Sequence, residues 1–390
     1  MNILYYLGIV LLAGLGVAKI LRKIKFPNVT GYLIAGILIG HNVLNLVPKN
    51  IVTELNIVSE VALGFIAYSI GSSFRFSNLK QQGKGTVVIA FMEALMAMLL
   101  VFLVLFFVLK TDLPFALMIS SIACATAPAA TLMVIRQYNA KGPLVDTLLP
   151  VVALDDMVSI IAFGVAASIS KALISGTGTN IQAMLLVPFW EITLAFLLGI
   201  SLGLLLTLFL KFTKSEGNYL NIIIAVIFIG IAIAIYFKIS PLLLCMALGA
   251  FIANALPNPA KAFNIVDPIT TPIFVIFFTI SGAALDLGSL VHVGVIGVTY
   301  LVVRAIGKWI GTYISCKMFN KPKTVTRYLG IALMPQAGVA LGLSLMAANL
   351  IGGEHGDQVR TVILATTVVY ELIGPLAAKF ALKKAGELHE

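Results

Sequence analysis

Val151-Val-Ala-Leu-Asp-Asp-Met-Val-Ser-Ile160 places two adjacent carboxylates, Asp155 and Asp156, inside an apolar run. No Lys, Arg, Asp or Glu stands between the pair and Asp146 upstream or Lys171 downstream. The stretch from Leu144 to Ala172 is long enough to span a bilayer, which takes roughly 20 apolar residues. Two acids near its middle therefore lie in hydrocarbon or in a cavity cut through it. One Asp at that depth costs about 2.5–3.5 kcal/mol on insertion scales. A second adds to this, because like charges resist joint ionisation. Such a pair is either a structural set neutralised by partners or a site for a cation or proton.

The surroundings match a membrane setting. Hydrophobic residues make up 60% of the chain, charged residues 11%, and the mean hydropathy is +1.06. A soluble domain carries about 25% charged residues. The chain reads as an all-α polytopic membrane protein. Met1-Asn-Ile-Leu-Tyr-Tyr6 lacks a basic leader, so the N-terminus reads as a first spanning helix. Cys124, Cys245 and Cys316 are scattered through apolar stretches, and no pair of histidines has metal-ligand spacing. The net charge of +10 fits basic cytoplasmic loops better than nucleic acid.

Thirteen apolar segments are expected to span, at about 3–21, 29–46, 54–74, 85–109, 113–135, 144–172, 182–210, 219–237, 240–256, 267–285, 290–316, 326–350 and 358–378. With the N-terminus outside, the inner flanks hold 19 basic residues, among them Arg75, Lys80, Lys84 and Lys214, and the outer flanks hold 5. This bias orients both termini, with the C-terminus in the cytoplasm.

An internal repeat is legible. Gly71-Ser-Ser-Phe-Arg-Phe-Ser-Asn-Leu79 and Gly282-Ala-Ala-Leu-Asp-Leu-Gly-Ser-Leu290 share one pattern 211 residues apart. Pro27, Gly31, Gly36 and Gly40 of the second segment answer to Pro241, Cys245 and Gly249 of the ninth. Thr126-Ala-Pro128 in the fifth answers to Met334-Pro-Gln336 in the twelfth. Segments one to six then map onto eight to thirteen, with the seventh as linker. An odd linker helix inverts the second half, the plan of many secondary transporters.

Segments five and twelve are expected to be broken helices. Pro128 removes a backbone donor and clashes with the carbonyl four residues back. Pro335, Gly338 and Gly342 likewise favour a break in the twelfth, with Gln336 at it. In hydrocarbon the freed carbonyls need partners, and with the Thr126 hydroxyl they offer ligands for a cation. Lys308 lies mid-segment, one turn from Arg304, and its productive partner is the acid pair. Shifting Glu93 by the repeat offset places it opposite Arg304, which predicts a structural Glu93–Arg304 bridge. Glu371 is a second candidate partner for that arginine.

On Pro27-Asn-Val-Thr-Gly-Tyr-Leu-Ile-Ala-Gly36, Thr126-Ala-Pro128, Asp155-Asp156, Gly307-Lys308 and Pro335-Gln-Ala-Gly338, the chain resembles the monovalent cation:proton antiporters of the cation:proton antiporter-2 family. The Asp-Asp pair is similar to that of electrogenic sodium/proton members. Potassium-efflux members typically carry Gln-Asp and a nucleotide-binding domain. The resemblance implies Asp156 as the main cation and proton carboxylate, Asp155 as partner of Lys308 and second proton carrier, and Thr126 with backbone near Ala127 completing a sodium site. It implies a homodimer in the cell's plasma membrane, with a scaffold of residues 1–79 and 219–288. Residues 84–172 and 290–378 would form the ion-transport core, 182–214 a linker helix and 379–390 a short cytoplasmic tail. Sodium and protons would be transported ions, with no cofactor and no enzymatic step. A potassium/proton antiporter is the nearest alternative; a cation channel and a transport-like sensor are the others.

Overall fold

The apolar periodicity resolves into helices throughout the computed structural model, which describes residues 2–41, 43–74, 85–175, 181–213, 215–285 and 294–388. Arg75, Lys80, Lys84, Lys214 and the ends of both repeat motifs, 75–79 and 286–290, lie outside the described residues. In chain order the helices are α1 (Ile3–Arg22), α2 (Asn28–Ile39), α3 (Lys49–Glu54), α4 (Asn56–Gly71), α5 (Gly85–Leu103), α6 (Leu113–Ile122), α7 (Pro128–Gln137), α8 (Pro143–Ser175) and α9 (Ile181–Phe212). They continue with α10 (Glu216–Tyr236), α11 (Pro241–Ala255), α12 (Pro259–Asn264), α13 (Asp267–Ala284), α14 (Gly294–Met318), α15 (Lys323–Ala332), α16 (Gly338–Ile351) and α17 (Gly353–Ala385). Among the described residues there is no strand. Eight helices among the described residues have the length and apolarity to cross a membrane, and five shorter apolar ones run 10–17 residues. Each apolar segment contains helix, but proline and glycine cut several into pieces too short to count by length.

The chain divides into two compact units. The first comprises residues 1–20, 31–83 and 189–284. The helix expected as a linker belongs to it from Phe189 onward, since Gly199 and Gly203 let α9 lie directly on α11. Two close crossings organise this unit. A Cβ on Gly36 of α2 would run into the Thr279 carbonyl of α13, and one on Gly282 into the Leu33 carbonyl of α2. Likewise a Cβ on Gly71 of α4 would meet the Met246 carbonyl of α11, and one on Gly249 the Tyr68 carbonyl of α4. Small residues let membrane helices approach backbone to backbone, where packing rather than hydrophobic exclusion supplies the energy. The repeat offset carries Gly36 close to Gly249 and Gly71 onto Gly282. The two crossings are therefore the same contact made twice, each between one helix of each repeat.

The second unit comprises residues 21–30, 84–188 and 285–390. Its interior has two apolar clusters. One gathers Val101 of α5 and Leu105 just after it, Phe115 and Ile119 of α6, Tyr300 of α14, Leu343 of α16 and Ile363 of α17. The other gathers Ile89 of α5, Val134 of α7, Val152 of α8, Cys316 of α14, Leu329 of α15 and Leu382 of α17. Both broken helices contribute one half to each cluster. Helices α5, α8 and α14 run through both, and between the two their sequence turns polar at Glu93, Asp155 and Asp156, and Arg304 and Lys308. A charged layer thus lies between two apolar ones.

Candidate ion-binding site

Residues 123–127 and 333–337 are non-helical and separate α6 from α7 and α15 from α16. Pro128 occupies the first turn of α7, where its missing N–H costs nothing. Pro335 lies inside the second break, and Gly338 starts α16. The two breaks bond to each other: Ala127 N–H donates to the Pro335 carbonyl at 2.9 Å. Gln336 Nε2 donates to the Ile122 carbonyl at 3.0 Å and to the Tyr300 hydroxyl at 2.8 Å. Thr126 is buried, and its hydroxyl has no hydrogen-bond partner among the described residues.

Arg304 closes the crossing. Its Nε donates to the Ala123 carbonyl (3.1 Å), Nη2 to Ala125 (2.6 Å) and Nη1 to Met334 (3.0 Å). One planar guanidinium thus satisfies carbonyls from both unwound segments, and its face lies 4.4 Å from the Tyr370 ring centre. These carbonyls, expected as cation ligands, are occupied by the arginine. Four residues on, Lys308 Nζ donates to Glu93 Oε2 (2.8 Å), the Cys124 carbonyl (2.8 Å) and Asp155 Oδ2 (3.0 Å). All three ammonium protons are spoken for. The lysine and both carboxylates are fully buried.

Two expectations are corrected here. Glu93 pairs with Lys308 and not with Arg304. A repeat offset finds equivalent positions, whereas α5 and α14 run antiparallel, so their contacts pair rising numbers with falling ones. Gly307 faces Ala97 and Gly311 faces Glu93 and Met92. That register, kept close by the two glycines, brings Glu93 to Lys308. Glu371 is not the partner of Arg304 either. Its neighbour Tyr370 takes that face, because successive helical residues point about 100° apart; Glu371 Oε2 has no partner among the described residues.

The same geometry separates the adjacent aspartates. Asp155 turns to Lys308, while both carboxylate oxygens of Asp156, 1% exposed, have no hydrogen-bond partner among the described residues. The layer therefore contains two satisfied cations, Arg304 and the bridging Lys308, and the carboxylate of Asp156, which no donor satisfies among the described residues. A carboxylate in that situation needs a proton or a metal cation.

One contact was invisible to sequence reasoning. The chain after α17 folds back, and the Glu387 carboxylate, 4% exposed, accepts from Leu144 N–H (2.7 Å) and Val145 N–H (2.9 Å). Of the expected tail at 379–390 the described part, to residue 388, is thus helical to Ala385, and its Glu387 caps the helix that carries both aspartates. A carboxylate there satisfies orphan donors and complements the helix dipole. Glu387→Ala is expected to lower stability by about 1–2 kcal/mol, read as a reduced melting temperature in detergent. An unchanged melting temperature would mean that the cap carries no energy.

Two crossed, half-unwound helices around a buried carboxylate define an ion-coupled secondary transporter of the membrane. Residues 7–384 match the family described as sodium/hydrogen exchanger, transmembrane, and the chain belongs to that family. It is 24% identical, over 97% of its length and 96% of the relative's, to the Na(+)/H(+) antiporter NhaS4 of Synechocystis sp.. Its fold is that of the sodium proton antiporter MjNhaP1 of Methanocaldococcus jannaschii. The structure of that protein at pH 8 superposes with TM-score 0.76 at 18% identity, covering 99% of this chain and 98% of the other. Its electron-microscopy structure gives 0.80 at 18%, covering 99% and 97%.

Proposed function

We propose that this chain exchanges sodium for protons by alternating access, with Asp156 as the carboxylate the two ions compete for. The observation that carries the reading is the contrast between Asp156 and its neighbours: Asp155, Glu93, Lys308 and Arg304 all have protein partners, and Asp156 has none among the described residues. Thr126, also buried and unpartnered, and backbone near Ala127 complete the sodium site in this reading. Family membership supports sodium over potassium as the cargo.

In the proposed cycle a proton on Asp156 leaves as sodium arrives, because one carboxylate cannot hold both. Asp155 turns from Lys308 toward the ion, and the proton of that bridge is the second to move. Glu93 keeps hold of the lysine meanwhile. Two protons per sodium transfer one net charge, so exchange responds to voltage at about 2.3 kcal/mol per charge per 100 mV. The protein is assigned to the plasma membrane as a homodimer, N-terminus outside and C-terminus inside. The charge bias of the loops supports the orientation, and the family resemblance supports the dimer.

The test is flux in proteoliposomes loaded at low pH with a lumenal pH dye. Adding sodium outside is expected to alkalinise the lumen for wild type, and Asp156→Asn is expected to fall to the rate of empty vesicles. A response to potassium alone would replace the cargo. Cation entry without proton movement would make the protein a channel, and no flux from folded protein would leave a sensor.

A further inference from the structure

The turn between α14 and α15 forms an open concavity of about 290 Å³, close to the roughly 300 Å³ at which small-molecule pockets begin. Lys317, Lys321, Lys323 and Arg327 line it with Asn320 and Thr326, and among the described residues no acidic side chain does. Four like charges around one concavity repel each other unless an anion joins them. The wall continues into Tyr313, which stacks on Trp309 with ring centres 5.4 Å apart and receives Lys317 Nζ 6.0 Å above its ring. Trp309, 40% exposed, donates through Nε1 to the Arg327 carbonyl and so fixes the far side of the cavity. Ile314, Met318 and Phe319 are exposed beside it. Indole and phenol rings among exposed apolar side chains mark the headgroup level of a bilayer.

We propose that this cavity binds a net-negative phosphate group, that of an anionic glycerophospholipid or a free phosphate. Lysines and an arginine converging without a competing carboxylate suit phosphate oxygens. The aromatic pair and the apolar rim suit a group that arrives on a lipid. Basic pockets between membrane helices on the cytoplasmic side are suited to such headgroups. Occupancy would tie the end of the helix that carries Arg304 and Lys308 to the helix that enters the break at 333–337.

The experiment is a melting curve of delipidated protein in neutral detergent with dioctanoyl phosphatidylglycerol, dioctanoyl phosphatidylcholine or inorganic phosphate. Phosphatidylglycerol is expected to raise the melting temperature of wild type by at least about 3 °C at saturation, and phosphatidylcholine not to. The Lys317→Gln/Lys321→Gln/Lys323→Gln/Arg327→Gln variant is expected to lose the shift. If that variant does not fold, Lys321→Gln and Arg327→Gln singly should each weaken it, and the Lys321→Arg variant should retain it. A wild-type-only shift with inorganic phosphate as well identifies the phosphate group itself as sufficient; a shift with the lipid alone identifies the lipid. An equal phosphatidylglycerol shift in wild type and variant, or no shift with either anion, overturns the proposal.

Discussion

Lys308→Ala is expected to abolish sodium-driven proton efflux and to destabilise the protein by about 3–5 kcal/mol, the usual cost of removing one partner from a buried ion pair. The lysine joins Glu93, Asp155 and the Cys124 carbonyl within one layer. Its removal leaves two buried carboxylates and an unwound carbonyl without their donor. Two readouts separate the structural from the transport role. Adding Glu93→Gln and Asp155→Asn to Lys308→Ala removes the uncompensated charges and should restore much of the melting temperature. It should restore no transport, since Asp155 has then lost its exchangeable charge. A Lys308→Ala protein as stable and active as wild type would show that the bridge does neither job.

Arg304→Ala is the second large effect. Three hydrogen bonds from a charged donor are lost, each worth about 1.5–3 kcal/mol though not additively. The carbonyls of Ala123, Ala125 and Met334 are left in an apolar interior. Several kcal/mol of stability and all transport should go with them. Arg304→Lys should rescue little, because a point-like ammonium cannot span carbonyls from two segments as a planar fork does. A double-mutant cycle checks the pairing: coupling of Glu93 to Lys308 should exceed coupling of Glu93 to Arg304. Stability of Arg304→Lys equal to wild type would mean that the crossing is held by its backbone bonds alone.

These two residues also mark where sequence reading stopped. The breaks were legible, because Pro128 and Pro335 remove donors wherever they stand. The acid pair and its lysine were legible, because unpaired charge is costly in hydrocarbon. Which carbonyls a broken helix leaves free, and which side chain reaches them, depends on how two breaks cross, and no residue pattern encodes that crossing. The repeat offset points Glu93 one turn away on α14, because equivalent positions in two repeats are not the positions that touch. Glu371 and Tyr370 differ by one position, a difference that only a helix's rotation about its axis decides. Glu387 caps a helix 243 residues earlier, and a polar residue near a terminus carries no mark of that destination.

The doubled glycine crossing in the first unit has a consequence for biosynthesis. Gly36 and Gly282 of one crossing are 246 residues apart, and Gly71 and Gly249 of the other are 178 apart. At about 5–20 residues per second, α2 and α4 wait on the order of 10–50 s in the membrane before their partners are made. During that interval their glycine faces are covered by lipid or by a chaperone. Separately expressed halves should therefore be degraded alone and accumulate only when made together.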